Sequence, residues 1–390
     1  MEFEYWWVIG FPIFFGLGWL AARIDIKHLL SESRQLPDSY FKGLNFLLNE
    51  QPDRAIEAFI EVVKGDRESI ELHFTLGNLF RRRGETERAI RIHRSLLERG
   101  DISESQRLQA LFELGQDYLK AGLLDRAEAA FEKLRGTSFD RNAMSFLVEI
   151  YQQEREWEKA ISITRTIEDK DSLQQKAIAN FYCEWATSLL NQSRADEARE
   201  KLNFALESNR RSVRASLILG DLHAASGNHA EAIATWRRIE QQDPPYLALC
   251  AGKLLSSYKA NGSAEEGLVL LKGYLASYPS LDLLDVVFQS VLDLEGAQSA
   301  YELVKEELRR NPTLLGLDRL LEAQLVNAPS ERRSDLELIR KLIHNHTLRL
   351  SRFQCSSCGF KARQFHWKCP GCGGWETYPP RRTEEFDLAA

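Results

Sequence analysis

Four of the six cysteines crowd together near the C-terminal end, as the pairs Cys355/Cys358 and Cys369/Cys372 with ten residues between them. Thiolates are soft ligands, and two C-x-x-C pairs complete a tetrahedral sulfur shell that suits zinc or a single iron ion. Glycine follows each second cysteine, at Gly359 and Gly373, where a knuckle turn requires positive φ. Four thiolates leave no open coordination position, so hydrolysis at this metal is not expected. His366 stands beside the second pair but is surplus to the shell, and reads as a surface or packing residue. The remaining cysteines, Cys183 and Cys250, lie among apolar neighbours on helical stretches and read as buried thiols.

About thirty residues around this site make too small a core to stand without their metal. Phe353, Phe360, Trp367 and Trp375 are the expected filling of that core. Residues 340–382 carry nine Lys or Arg against a single acid, Glu376. This basic stretch reads as a solubilising coat, compatible with the ribbon docking back onto the body of the chain. Nucleic acid is not the expected partner, because the chain as a whole has 57 acids against 51 basic residues. With 44% hydrophobic and 28% charged residues, the chain is neither disordered nor a disulfide scaffold.

The elements that carry the knuckles repeat. GLNFLLNEQPDRAIEAF, LGNLFRRRGETERAI and LGQDYLKAGLLDRAEAAF share one skeleton: a small residue, an aromatic three later, a turn, and a second small residue twelve after the first. That second small position recurs at Ala55, Ala89, Ala127, Ala160, Ala198, Ala232, Gly267 and Ala300, spaced 33 to 38 residues apart. Such a period means two helices per repeat and a solenoid. Gly43, Gly77, Gly115 and Gly220 mark close helix approaches. Phe46, Phe80, Tyr118, Tyr151 and Tyr258 fill the space a turn later. The pattern resembles the tetratricopeptide repeat, whose concave face holds an extended peptide or a partner helix. On this alignment Asn78, Arg81, Arg82, Gln116 and Lys120 look into that groove.

Residues 5–22 carry no charge and span about 27 Å as a helix, close to a hydrocarbon core of about 30 Å. Trp6, Trp7 and Trp19 sit near the ends, where indoles favour the interface. Glu2 and Glu4 precede the run while Arg23, Lys27 and Arg34 follow it. This polarity favours an uncleaved anchor with the bulk of the chain in the cytoplasm. No phosphate-binding loop with lysine, zinc-protease helix or nucleophile elbow occurs, so an enzyme is not expected.

An N-terminal anchor, repeats through the body and a C-terminal CSSCGF/CPGCG knuckle pair together resemble the lipopolysaccharide assembly protein B family. The resemblance runs the whole length and covers GLNFLLNEQPDRAIEAFIEV and LGNLFRRRGETERAIRIH. It implies an all-α tetratricopeptide-repeat superhelix with an N-terminal transmembrane helix and a small rubredoxin-like ribbon. The domains expected are an anchor at 1–22, a linker at 23–35, a solenoid of about eight repeats at 36–325, a capping helix at 326–350, a metal ribbon at 351–380 and a tail at 381–390. The family's metal ligands carry over to Cys355, Cys358, Cys369 and Cys372, holding iron or zinc. The implied function is that of an inner-membrane adaptor on the cytoplasmic side that restrains lipopolysaccharide synthesis. It would promote degradation of the lipid A pathway deacetylase by a membrane-anchored ATP-dependent protease. Implied partners are these two, other lipopolysaccharide assembly proteins, the inner membrane and a second copy in a homodimer. The competing expectation is an electron carrier, with iron in the ribbon and the solenoid presenting it to a redox partner.

Overall fold

The computed structural model describes Phe15 and residues 38–49, 51–65, 70–167, 172–326, 328–347 and 352–383. The anchor expected at 1–22 lies outside these residues apart from Phe15, as do the linker at 23–35 and the end of the tail. Among the described residues no helix is long and apolar enough to cross a membrane.

The chain divides into two compact units, Met1–Ile150 and Tyr151–Ala390. The first holds α1 (Asp38–Leu48), α2 (Pro52–Gly65), α3 (Ile70–Arg83), α4 (Thr86–Leu97), α5 (Glu104–Lys120), α6 (Leu124–Glu132) and most of α7 (Asp140–Glu154). The second continues with α8 (Trp157–Thr166), α9 (Ser172–Asn191), α10 (Ala195–Ser208), α11 (Val213–Ala225), α12 (His229–Arg237) and the short α13 (Ile239–Gln242). A 3-10 turn at Pro244–Tyr246 leads into α14 (Leu247–Ala260), α15 (Ala264–Ser277), α16 (Leu281–Leu294), α17 (Ala297–Arg310), α18 (Leu314–Val326) and α19 (Ser330–Thr347). Two short antiparallel strands, β1 (Phe353–Gln354) and β2 (Lys361–Ala362), end the order, with Phe353 opposite Ala362.

All eight small positions read from the sequence fall in the second helix of a hairpin and are buried, from Ala55 in α2 to Ala300 in α17. The four glycines face the ring that stands four residues beyond that position. A Cβ on Gly115 would come within 2.8 Å of the Phe131 ring, and one on Gly43 within 2.8 Å of Phe59. Trp236 lies over Gly220 and His93 over Gly77 in the same way. Hairpin closure is therefore a ring seated on bare backbone, where even one added methyl must displace an aromatic.

Among the described residues, six turns with a left-handed residue share one hydrogen-bond pattern. The residue after the turn donates its N–H to a carbonyl five positions back, as Glu85 does to Phe80 and Glu156 to Tyr151. That closure needs one left-handed residue. Gly84, Gly122, Gly227 and Gly262 supply it in four turns; Arg155 (φ 60°) and Ser193 (φ 62°) supply it in the other two. A side chain in this region costs about 1–2 kcal/mol.

In α19 the apolar residues Leu336, Ile339, Leu342 and Ile343 recur at helical spacing, yet Leu336 and Ile343 are half-buried while Ile339 and Leu342 are 45% and 62% exposed. Arg340 fixes the helix instead, pairing with Asp318 (3.3 Å) and Glu322 (2.9 Å) of α18. Ion pairs set the rotation of α19 here, and apolar periodicity alone misplaces it.

Candidate metal centre

The two knuckles are near copies. Cys355 N–H donates to Phe360 O and Gly359 N–H to Cys355 O, at 2.9 and 3.0 Å; Cys369 N–H donates to Gly374 O and Gly373 N–H to Cys369 O, both at 2.9 Å. Gly359 and Gly373 take φ of 74° and 71°, the geometry their place after the second cysteine foretold. All four Sγ atoms lie within 4.8 Å of one another, with Cys355–Cys372 at 3.9 Å and Cys358–Cys369 at 3.6 Å. A tetrahedral metal–sulfur bond of about 2.3 Å sets sulfurs about 3.8 Å apart, so the tetrad fits such an ion.

The thiols also show why a cation belongs here. Burial raises the Cys355 pKa, but hydrogen bonding with Thr377 and from the backbone of Cys358 and Ser357 outweighs it and brings the value to about 6. At Cys358 the Phe360 backbone pulls down, yet burial and the surrounding sulfurs push the value to about 12. The Cys355 thiolate forms readily, and Cys358 beside it then resists ionising. A divalent cation removes that conflict. Bound there, the ion would cross-link the two knuckles, with all four ligands supplied by this chain.

Tyr378 is the centre of the small core, fully buried and donating its hydroxyl to Phe360 O at 2.8 Å. The sequence reading missed it. Phe353 is buried as expected, but Phe360 is 43% exposed, and Trp367 and Trp375 do not fill the ribbon. The two indoles turn outward against the repeats. Trp367 stacks on Tyr246 at 5.5 Å, and Trp375 meets the Phe181 ring edge-on at 6.1 Å. The reason is area: a ribbon this small cannot enclose two indoles, while α9 and the 3-10 turn at Pro244–Tyr246 can cover them.

Polar contacts complete the seam. The Arg214 guanidinium lies 5.8 Å from the Trp367 ring and 5.6 Å from that of Trp375, and pairs with Glu184 at 2.7 Å. Fully buried Asn180 donates to Glu376 at 2.9 Å, and Glu376 itself has positive φ. Arg382 grips Asp282 with its Nε and Nη2, at 3.1 and 2.7 Å, and covers the Phe353 ring. Lys368 donates to Gln152 at 2.7 Å. The basic stretch is thus in part a docking device. His366 packs edge-on against Tyr378, a packing role. Cys183 and Cys250 are fully buried, and burial raises both thiols to about 12. Arg214→Ala should loosen the seam by about 1–2 kcal/mol, the usual worth of partly desolvated cation–π contacts such as those with Trp367 and Trp375. Hydrogen exchange over residues 352–383 would then accelerate while α11 stays protected.

In the first unit, the residues expected to face the groove divide by role. Arg82 and Lys120 are exposed. Arg81 is engaged inside, bonding Glu113 at 2.6 Å, Asp117 at 2.9 Å and Asn78 at 2.7 Å, while Gln116 reaches Glu113 at 3.4 Å. Asp117, fully buried, also accepts from His93 Nδ1 at 2.5 Å. The sequence reading passed over this pair. The signal was present, since His93 occupies the position where other hairpins carry Phe59, Phe131 and Trp236.

A tetratricopeptide scaffold with a tetrathiolate ribbon seated on it defines a class of interaction protein. Residues 74–144 and 183–246 match the family described as Tetratricopeptide repeat, and residues 353–380 the Rubredoxin metal binding domain. Lipopolysaccharide assembly protein B of Escherichia coli (strain K12) is 32% identical over 375 residues, covering 95% of this chain and 96% of that protein. Its counterpart from Haemophilus influenzae is 30% identical over 390 residues, covering 96% and 98%. Among solved structures, Naa15/Naa10 bound to HypK-THB aligns with a TM-score of 0.39 at 16% identity, over 79% of this chain and 53% of that one. The chain belongs to the lipopolysaccharide assembly protein B family. Its relatives are named assembly proteins and its body is an interaction fold, so it is a scaffold and not an enzyme.

Proposed function

We propose that the chain is an adaptor of lipopolysaccharide biosynthesis, anchored in the inner membrane through residues 1–22 with its bulk in the cytoplasm. There it promotes proteolysis of the lipid A pathway deacetylase by a membrane-bound ATP-dependent protease. The observation that carries this reading is the family match over 95% of the chain, joined to a fold whose surfaces are built to hold proteins. In this reading Cys355, Cys358, Cys369 and Cys372 hold zinc or iron as a structural clamp. Client contacts fall to the groove of the first unit, where Asn78, Arg81 and Gln116 frame the exposed cations Arg82 and Lys120. Other lipopolysaccharide assembly proteins and a second copy of the chain are further partners.

The test is the half-life of the deacetylase with and without this protein. A longer half-life on depletion supports the adaptor, and an unchanged one removes it. The electron-carrier reading draws on Cys358 and Cys372, whose exposed side chains offer an exit for electrons. Zinc has no redox chemistry, so full function of a zinc-only protein would dispose of that reading.

A further inference from the structure

We infer that the Arg155 turn, the C-terminal half of α9 and the docked ribbon together form a recognition site for an extended acidic peptide segment. The inference deepens the adaptor reading by locating a partner surface in the second unit, at some remove in sequence from the groove residues already discussed. Two adjoining cavities of about 350 and about 340 Å³ share Arg155, Trp157, Ser188 and Asn191. One runs on to Trp185 and Arg194, the other to Lys368 and Trp375 of the ribbon.

The chemistry of the walls selects the ligand. Arg155, Lys368 and the indole of Trp157 are donors only. Trp157 is 8% exposed, and its buried Nε1 has no hydrogen-bond partner among the described residues. A buried donor of this kind calls for an acceptor. Charge points the same way: Glu184 is neutralised by Arg214 and Arg194 by Glu197, while the cations Arg155 and Lys368, the latter donating to Gln152, line the cavities. Ser188 and Asn191 can pair with the main chain of an extended segment, and the Trp185 and Trp375 rings offer it apolar walls. A flat anionic membrane would not reach this recessed floor.

The backbone supplies an independent argument. Arg155 occupies the left-handed turn position that is glycine in four sister turns. A local rule broken at a cavity wall marks a position held for its side chain. The ribbon forms the opposite wall. Trp157 stacks on Phe181 and Phe181 meets Trp375, an aromatic line from the cavity floor to the knuckles.

The test uses the full-length, zinc-loaded chain and a fluorescein-labelled peptide about eight residues long that alternates glutamate and alanine. A version with lysine in place of glutamate serves as control. Fluorescence anisotropy should show binding of the acidic peptide alone, weakened about tenfold or more by Arg155→Gly, as expected for loss of charge-assisted hydrogen bonds. Lys368→Ala should weaken it by a comparable factor. Because glycine suits the turn, Arg155→Gly should leave the thermal midpoint unchanged or raise it, so lost binding cannot be ascribed to misfolding. Equal affinity for both peptides, or wild-type affinity in Arg155→Gly, overturns the inference. So does Arg155-dependent binding to phosphatidylglycerol vesicles with no peptide binding, which would assign the site to a lipid surface. A deacetylase half-life that still responds to the protein while the peptide assay fails would remove this site alone, leaving the adaptor reading in place.

Discussion

Cys369→Ser is expected to abolish metal binding and release the ribbon from the repeats, the largest effect any single substitution should have on this chain. Structural zinc in isolated knuckle-type domains contributes about 10–16 kcal/mol of binding free energy that is also folding free energy. Here the ribbon has little else, since its apolar core cluster consists of Phe353, Cys355, Cys369 and Tyr378. Losing one thiolate should therefore unfold it, and the seam depends on its folded shape. Trp367 and Trp375 are held over Tyr246 and Phe181 by the same loop that positions Cys369 and Cys372. Metal content should fall from about one ion per chain to near zero. Residues 352–383 should lose protection from hydrogen exchange, while α3 to α6 keep theirs. A metal-free variant whose ribbon stayed protected would show that the seam, and not the ion, maintains the ribbon.

Asp117→Ala should cost about 1–3 kcal/mol, because it leaves the buried His93 imidazole without its acceptor while Arg81 keeps Glu113 and Asn78. Asp117 joins three helices of the first unit: it sits on α5, takes Arg81 from α3 and His93 from α4, and has no exposed surface. The partner change has the opposite character. His93→Phe restores the ring found at Phe131 and Phe59, over a glycine that already accepts one. Combined with Asp117→Ala it should recover much of the loss, since removing both ends of a buried polar pair costs far less than removing one. Urea unfolding of the single and double variants gives the coupling directly. Additive losses would mean that His93 and Asp117 do not act as a pair.

The repeats were legible because their determinants are local. A ring over a glycine needs only the spacing within one hairpin, so the small positions from Ala55 to Ala300 could be read directly. The four sulfur ligands were legible for the same reason, since a knuckle is a turn of a few residues. The seam was not. Trp367 and Trp375 carry no sign that they pack outward, because the surfaces that cover them, Tyr246 and Phe181, lie more than a hundred residues earlier. The rotation of α19 failed similarly: its heptad-like leucines suggest one face, and Arg340 with Asp318 and Glu322 selects another. Arg155 is the instructive intermediate. A missing glycine in a repeating turn is visible in the sequence, but only the cavity beside it gives the omission a meaning.

The seam also has a consequence for how the chain is made. Each hairpin can close as soon as its own stretch leaves the ribosome, at translation speeds of about 5–20 residues per second. The ribbon's contacts must wait: Glu376 reaches back 196 residues to Asn180, and Arg382 reaches back 100 to Asp282. Until the last knuckle is synthesised and metallated, Phe181, Arg214 and Tyr246 remain uncovered. A chain cut short by a premature stop, or translated in a metal-starved cell, keeps that apolar and charged strip open to proteases. Docking of the ribbon thus comes late: it covers that strip only after residues 352–383 have been made and have folded.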